Sequence, residues 1–259
     1  MVFFAQKLIQ LSKRWRIGAV SYLNTRPFLL GIEQSGLMDQ VELVKAYPAQ
    51  IAQSLLEDSI DIGLVPVAVI PLLKDPHYIS AYCIGAEQAV ASVAIFSEVP
   101  MDQIEKVYLD HQSRTSVQLA RLMMELYWEK EVEWLEADPD NINKIGGTTA
   151  GVIIGDRALV AQNKFAYVYD LASAWHKYTG LPFVFATWVA NKPIPEDFIK
   201  QFDAANAYGL NHLDEVIAGI GQEEKVYDLK KYYTQNISYE FTEAKKQGLS
   251  LFLKLLSRP

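Results

Sequence analysis

Short apolar runs and amphipathic helical stretches alternate along the first hundred residues, and this alternation limits the chain to few folds. "RIGAV" (16–20) reads as a strand and "TRPFLLGIEQSG" (25–36) as a helix closed by Gly36. "VELVKA" (41–46) is a second strand. "PAQIAQSLLEDS" (48–59) puts Ile51, Ala52, Leu55 and Leu56 at helical spacing, and "DIGLVPV" (61–67) is a third strand. Strand–helix–strand repeats of this kind build right-handed βαβ units around a mainly parallel sheet.

The long apolar run "VASVAIFS" (90–97) reads as a crossing, after which the pattern starts again. "KVYLD" (106–110) precedes a helix over 113–128 with an apolar face of Val117, Leu119, Ala120, Met123, Met124 and Tyr127. "VEWLEA", the Gly/Thr-rich "IGGTTAG", "VIIGD" and "FAYVYDL" follow, and "FVFATWVA" (183–190) reads as the return crossing. From Pro195 onward the pattern is helical to about Ser257. The expected architecture is α/β with two lobes, one formed by 1–93 with 188–259 and the other by 94–187, and two crossing strands between them. Ligands of open α/β sheets bind beyond the carboxyl ends of strands, so the turns there, facing the cleft, are the places to search.

Bulk properties narrow the chemistry. The chain has 259 residues, half of them apolar, and a net charge of −7, which disfavours nucleic acid as a partner because phosphate binding needs a basic face. Its single cysteine, Cys83, can form no internal disulfide and reads as a buried thiol. In the N-terminal "MVFFAQKLIQLSKRWR" the charges follow the apolar residues, unlike a secretory signal, and no later run approaches the ~18 apolar residues of a membrane span. A cytoplasmic protein without a membrane partner is expected. Neither a Gly-x-Gly-x-x-Gly, a Walker loop, a nucleophile elbow nor metal-spaced histidines occur, so no cofactor and no metal are expected.

Three turns are unusually polar. "SYLNTRP" (21–27) gathers Ser21, Tyr22, Asn24, Thr25 and Arg26 where a strand becomes a helix. Thr25 fits a helix cap and Pro27 the first turn, whereas Asn24 is either a left-handed turn residue or an amide donor to a ligand. In "LDHQSRTSVQLARL", Ser113, Thr115 and Ser116 gather at a helix start, suited to capping and to holding an anion; Arg114 is an added charge and His111 a possible acid or base. Asp156 and Asp170 each stand between a strand and a helix, as caps do.

In order along the chain, "RIGAVSYLNTRPF", "DIGLVPVAVI", "SVAIFSEVP", "SRTSVQLARL", "IIGDRAL", "YDLASAWHKYTGLPFVFATW" and "YYTQNISYEF" resemble the chorismate dehydratases of the futalosine route to menaquinone. The resemblance implies the two-lobed fold of type 2 periplasmic binding proteins. It also implies conversion of chorismate to 3-[(1-carboxyvinyl)oxy]benzoate and water without a cofactor. Asn24 and Ser92 would then be the catalytic residues. Ser21, Tyr22, Arg26, Pro66, Ser113, Thr115, Ser116 and Asp156 would form the substrate-binding set.

Two other readings compete. One is a solute-binding or sensory protein, because this fold carries no chemistry in most of its members. The other is the related naphthoate-forming enzyme of the same pathway, which is expected to carry a catalytic His in an Ile-His-Glu string. This chain has "IIGD", with Gly155 at that position, and glycine cannot transfer a proton.

Overall fold

The computed structural model describes residues 14–136, 139–222 and 227–258. The beginning of the stretch read for a targeting signal, residues 1–13, lies outside them. Strand β1 (Trp15–Ala19) leads through a tight turn, Leu23–Thr25, into helix α1 (Arg26–Gln34), followed by β2 (Val41–Lys45), α2 (Pro48–Leu56), β3 (Ile62–Pro66) and β4 (His77–Ala86). The chain then builds β5 (Val93–Ser97), β6 (Lys106–Tyr108), α3 (Arg114–Leu126), β7 (Glu133–Leu135), β8 (Thr149–Ile154), α4 (Asp156–Ala161) and β9 (Tyr167–Asp170). Helix α5 (Leu171–Thr179) carries it back to β10 (Phe183–Ala190). There follow α6 (Glu196–Asn211), α7 (Leu213–Ala218), α8 (Leu229–Lys231), β11 (Ser238–Glu240) and α9 (Glu243–Leu256).

The strands form two sheets, ordered β11-β4-β10-β3-β1-β2 and β7-β6-β8-β5-β9. Within each, three strands run parallel, with β1 between β2 and β3 and β6 between β7 and β8. One antiparallel strand is then inserted: β10 between β3 and β4, and β5 between β8 and β9. The sheets are therefore mixed rather than mainly parallel.

The same insertion corrects the expected crossings. The run 90–97 supplies β5, buried at every residue inside the second sheet, and 183–190 supplies β10, wholly inside the first. Both sequences are predominantly apolar, without in–out alternation, because strands covered on both faces have no solvent side to alternate toward. The expected division at 187/188 falls within β10, and Val93, expected in the first lobe, pairs with Ile154 in the second sheet. The links between sheets are the segment 87–92 and helix α5 with its following turn. The helical tail is also interrupted: α6 ends at Asn211, and β11 adds an edge strand to β4.

An aromatic stack seats the beginning of α1. Phe28 contacts Trp188 of β10 (ring centroids 5.8 Å apart) and Tyr239 of β11 (5.3 Å), and Trp188 meets Phe202 of α6 at 4.9 Å. Helices α1 and α6 cross at Gly31 and Gly209, so closely that a Cβ on Gly31 would strike the Ala205 carbonyl. A backbone obstacle cannot rotate away, and overpacking costs about 1–3 kcal/mol. Gly31→Ala is therefore expected to lower the thermal midpoint by several degrees; an unchanged melting curve would show that the crossing has slack.

Candidate active site

The turn between β1 and α1 faces the cleft from the first lobe. Asn24 is not among the residues with positive φ, so the left-handed-turn reading of Asn24 does not hold. Thr25 is not the accepting cap expected from its position: its side chain makes no cap bond, and its hydroxyl instead donates to Asn24 Oδ1 at 3.0 Å. The leading turn is 3-10, with Tyr22 ahead of it, which takes Thr25 out of capping geometry. Because Oδ1 is occupied, Asn24 presents its amide Nδ2, a donor with two hydrogens.

Ser92 belongs to the segment that enters β5 and is buried (1% exposed). Ala91 before it has φ +62°, a left-handed conformation that strains a residue bearing a Cβ. The strain is held from both sides: Ala91 N–H donates to Asp170 at 2.7 Å, and Gln162 donates to the Ala91 carbonyl. Asp170 also accepts from Ser173 N–H at 2.9 Å, the cap expected of it, and burial pushes its carboxyl above the usual range despite these donors. The Ser92 carbonyl accepts from Gly155 N–H at 2.8 Å.

From the second lobe comes the start of α3. Ser113 Oγ accepts from Ser116 N–H at 3.0 Å, as a cap does, and donates to Ser116 Oγ at 2.9 Å, which leaves the Ser116 hydrogen available to a ligand. Gly155 has φ +63° and ψ −147°, a conformation essentially restricted to glycine. A Cβ there would meet the Tyr22 ring at 3.6 Å. That contact is ordinary, so it is the backbone conformation that disfavours a side chain where the naphthoate-forming relative is expected to have histidine.

These groups enclose a cavity of about 70 Å³ between the lobes. Tyr22, Asn24, Thr25, Pro66, Ser92, Ser113 and Ser116 line it, together with Pro48, Gly155, Phe185 and Ala186. A wider groove of about 740 Å³ opens beside it, shares Ser113, and contains His111 and Arg114. Small-molecule sites commonly hold roughly 300–1,000 Å³, so the inner cavity is a closed cleft that must widen to admit a ligand.

Four of the expected binding residues lie elsewhere. Ser21 is exposed, in an outer groove with Tyr47 and Lys45. Arg26, one helical step past Thr25, faces a groove with Glu33 and Glu215. Thr115 Oγ1 accepts from Ala68 N–H at 3.1 Å across the cleft. Asp156 is the first residue of α4, with Gly155 at the cap position, and it accepts from Leu23 N–H of the other lobe at 3.2 and 3.4 Å. His111 stays in the outer groove.

Asp156 and Thr115 are thus cross-lobe latches, and Tyr22 is a third, donating to Gln112. Burial and nearby Asp110 push the Tyr22 phenol up, with Arg157 opposing. Asp110 is itself raised by burial, although Arg157 pairs with it at 2.8 Å. Sequence reading missed the aromatic tail behind the cavity: Tyr233 donates to the Leu23 carbonyl at 2.8 Å and Tyr239 to the Asn24 carbonyl at 3.0 Å. Only the cluster of tyrosines in "YYTQNISYE" hinted at it. Hydrogen bonds to a charged group contribute about 1.5–3 kcal/mol. Asp156→Ala should therefore loosen the closed state and raise the radius of gyration in small-angle scattering, and an unchanged radius would mean that the other latches suffice.

A family model described as menaquinone biosynthesis matches residues 15–258. A chorismate dehydratase of Thermus thermophilus is 25% identical over 265 residues, covering 90% of this chain and 97% of that one. A chorismate dehydratase of Campylobacter jejuni is 23% identical over 244 residues, covering 92% and 95%. Among solved structures, a Candida albicans gene product described as having the generic periplasmic-binding-protein fold superposes with a TM-score of 0.65 at 13% identity, covering 95% and 92%.

Proposed function

The chain belongs to the menaquinone-biosynthesis family, and on that premise we propose that it is a chorismate dehydratase, a cytoplasmic hydro-lyase of the futalosine route. The observation that carries the reading is the lining of the cavity. Among its described residues the only titratable side chain is Tyr22, whose proton is committed to Gln112. Chorismate suits such a site because it brings its own base and a strong driving force.

The hydrogen at C3 is vinylogous to the ring carboxylate, and the enolpyruvyl carboxylate can reach it. That carboxylate takes the C3 proton, the C–H electron pair forms the C3–C4 double bond, and the C4–O bond breaks. The departing hydroxide takes the proton from the enolpyruvyl carboxyl, giving water and restoring the carboxylate. The ring becomes aromatic, so the protein needs only to position and polarise.

The residues divide accordingly. The start of α3, with the Ser116 hydroxyl, receives one carboxylate. Asn24 Nδ2, oriented by Thr25, donates to the enolpyruvyl carboxylate or to the leaving oxygen, and Ser92 donates at the reacting face. Closure of the lobes excludes water and shortens these contacts.

Incubation of the purified protein with chorismate, followed by mass spectrometry, should show a product lighter by one water. Bound but unchanged chorismate would instead favour a ligand-sensing role. Asn24→Asp keeps the turn but sets a carboxylate against a dianion, and should lower turnover at least about a hundredfold, equivalent to ~2.7 kcal/mol, with little change in melting temperature. Near-normal turnover would remove Asn24 from the mechanism. Ser92→Ala should weaken turnover while costing under about 1.5 kcal/mol of stability, the contribution of one hydrogen bond; a large loss of stability with normal catalysis would make the hydroxyl structural.

A further inference from the structure

The two links between the sheets, 87–92 and α5, meet at one side chain. Asp170 Oδ1 accepts from Ser173 N–H at 2.9 Å, in the first turn of α5. Asp170 Oδ2 accepts from Ala91 N–H at 2.7 Å, in the other link. Both donors are fixed backbone groups, so the side chain has to offer two acceptor oxygens. An ionised carboxylate does so, and an amide does not.

Three groups of the second lobe hold the chain at Ser92. Asp170 takes the Ala91 N–H, Gln162 donates to the Ala91 carbonyl, and Gly155 N–H donates to the Ser92 carbonyl at 2.8 Å. The hold from the first lobe falls earlier, where Asn236 donates to the Ala89 carbonyl at 3.2 Å. Between these grips stands Ala91 with φ +62°, a conformation that a residue bearing a Cβ avoids unless its surroundings impose it. Ser92 and Val93 both line the cavity, although adjacent side chains of a regular strand point to opposite faces. The left-handed residue just before them is the departure from strand geometry that sets how the chain enters β5.

We infer that Asp170 is a positioning residue that, by holding Ala91 left-handed, fastens Ser92 to the second lobe with its hydroxyl toward the cavity. Asn24 is carried by the first lobe, so closure of the lobes is what brings the two polar groups together. The consequence for turnover rests on the dehydratase reading, in which Ser92 donates at the reacting face; the placement of Ser92 by Asp170 does not. Asp170 is not among the described residues lining the cavity, so its effect reaches the substrate through Ser92.

Asp170→Asn keeps the shape of the side chain but sets an NH2 group against one of the two backbone donors. It should lower kcat about tenfold or more while leaving KM within about twofold, as misplacement of a reacting group does. Adding Ala91→Gly, which takes a positive φ unaided, should raise kcat again by at least about threefold, while the weakened cap of α5 keeps the melting temperature low. In a Ser92→Ala background Asp170→Asn should change kcat less than about twofold, because the hydroxyl it places is already gone. Wild-type kcat in Asp170→Asn, no recovery with Ala91→Gly, or a full tenfold further loss on top of Ser92→Ala would overturn the inference. If Asp170→Asn does not fold, Gln162→Met removes the donor to the Ala91 carbonyl and should lower kcat at least about threefold; an unchanged kcat there would equally overturn it. A crystal structure of Asp170→Asn tests the placement without turnover: Ala91 should leave the left-handed region and the Ser92 hydroxyl should leave the cavity. A left-handed Ala91 with Ser92 still in place would overturn the inference, whereas a wild-type protein inert toward chorismate would count against the dehydratase reading alone.

Discussion

Each sheet holds at its interior one antiparallel strand that the chain delivers straight from the other lobe. β10 separates β3 from β4, and β5 separates β8 from β9. Neither insertion is an edge contact: both strands make ladders on two sides and are almost wholly buried. The lobes are joined at strands inside each sheet, through the links 87–92 and α5 with its turn. Ser92 stands at the end of one link, where opening and closing of the cleft is felt most directly.

That placement accounts for the concentration of backbone restraint around it. Ala91 is held left-handed by Asp170 and Gln162, Ala89 by Asn236, and the Ser92 carbonyl by Gly155. Strain of this sort persists only where the surroundings over-determine it, and it gathers at functional positions. The Asn24 turn is restrained in the same way, by Tyr233 and Tyr239 on its carbonyls and by Phe28 wedged among Trp188 and Tyr239.

Much of this was legible in the sequence, unevenly. The βα alternation announced itself because fully buried strands such as Ile62–Pro66 are continuous apolar runs. The antiparallel insertions were not legible, since apolarity reports burial and not direction. Helix starts marked Asn24, Ser113 and Ser116, but the side of a turn on which a side chain emerges is set by tertiary packing. Arg26 and Ser21 were therefore misplaced, and Thr25 and Asp156 were given cap positions that a 3-10 turn and Gly155 changed. β11 was hidden by its length of three residues. Tyr233 and Tyr239 had no local signal, because the carbonyls they hold, those of Leu23 and Asn24, lie more than two hundred residues away in the chain.

The insertion of β10 also fixes an order of events during synthesis. Every strand of the second sheet lies between Val93 and Asp170, so that sheet has all its members once the middle of the chain has emerged. The first sheet must wait: β3 and β4 are not joined until β10 arrives between them, and β4 stays open on its other side until β11 follows. Contacts so distant in sequence are slow to form because loop closure comes before any reward. The second sheet of this chain can therefore be complete on the ribosome before the first one is, and the Asn24 turn, held by Tyr233 and Tyr239, is among the last parts to gain its restraints.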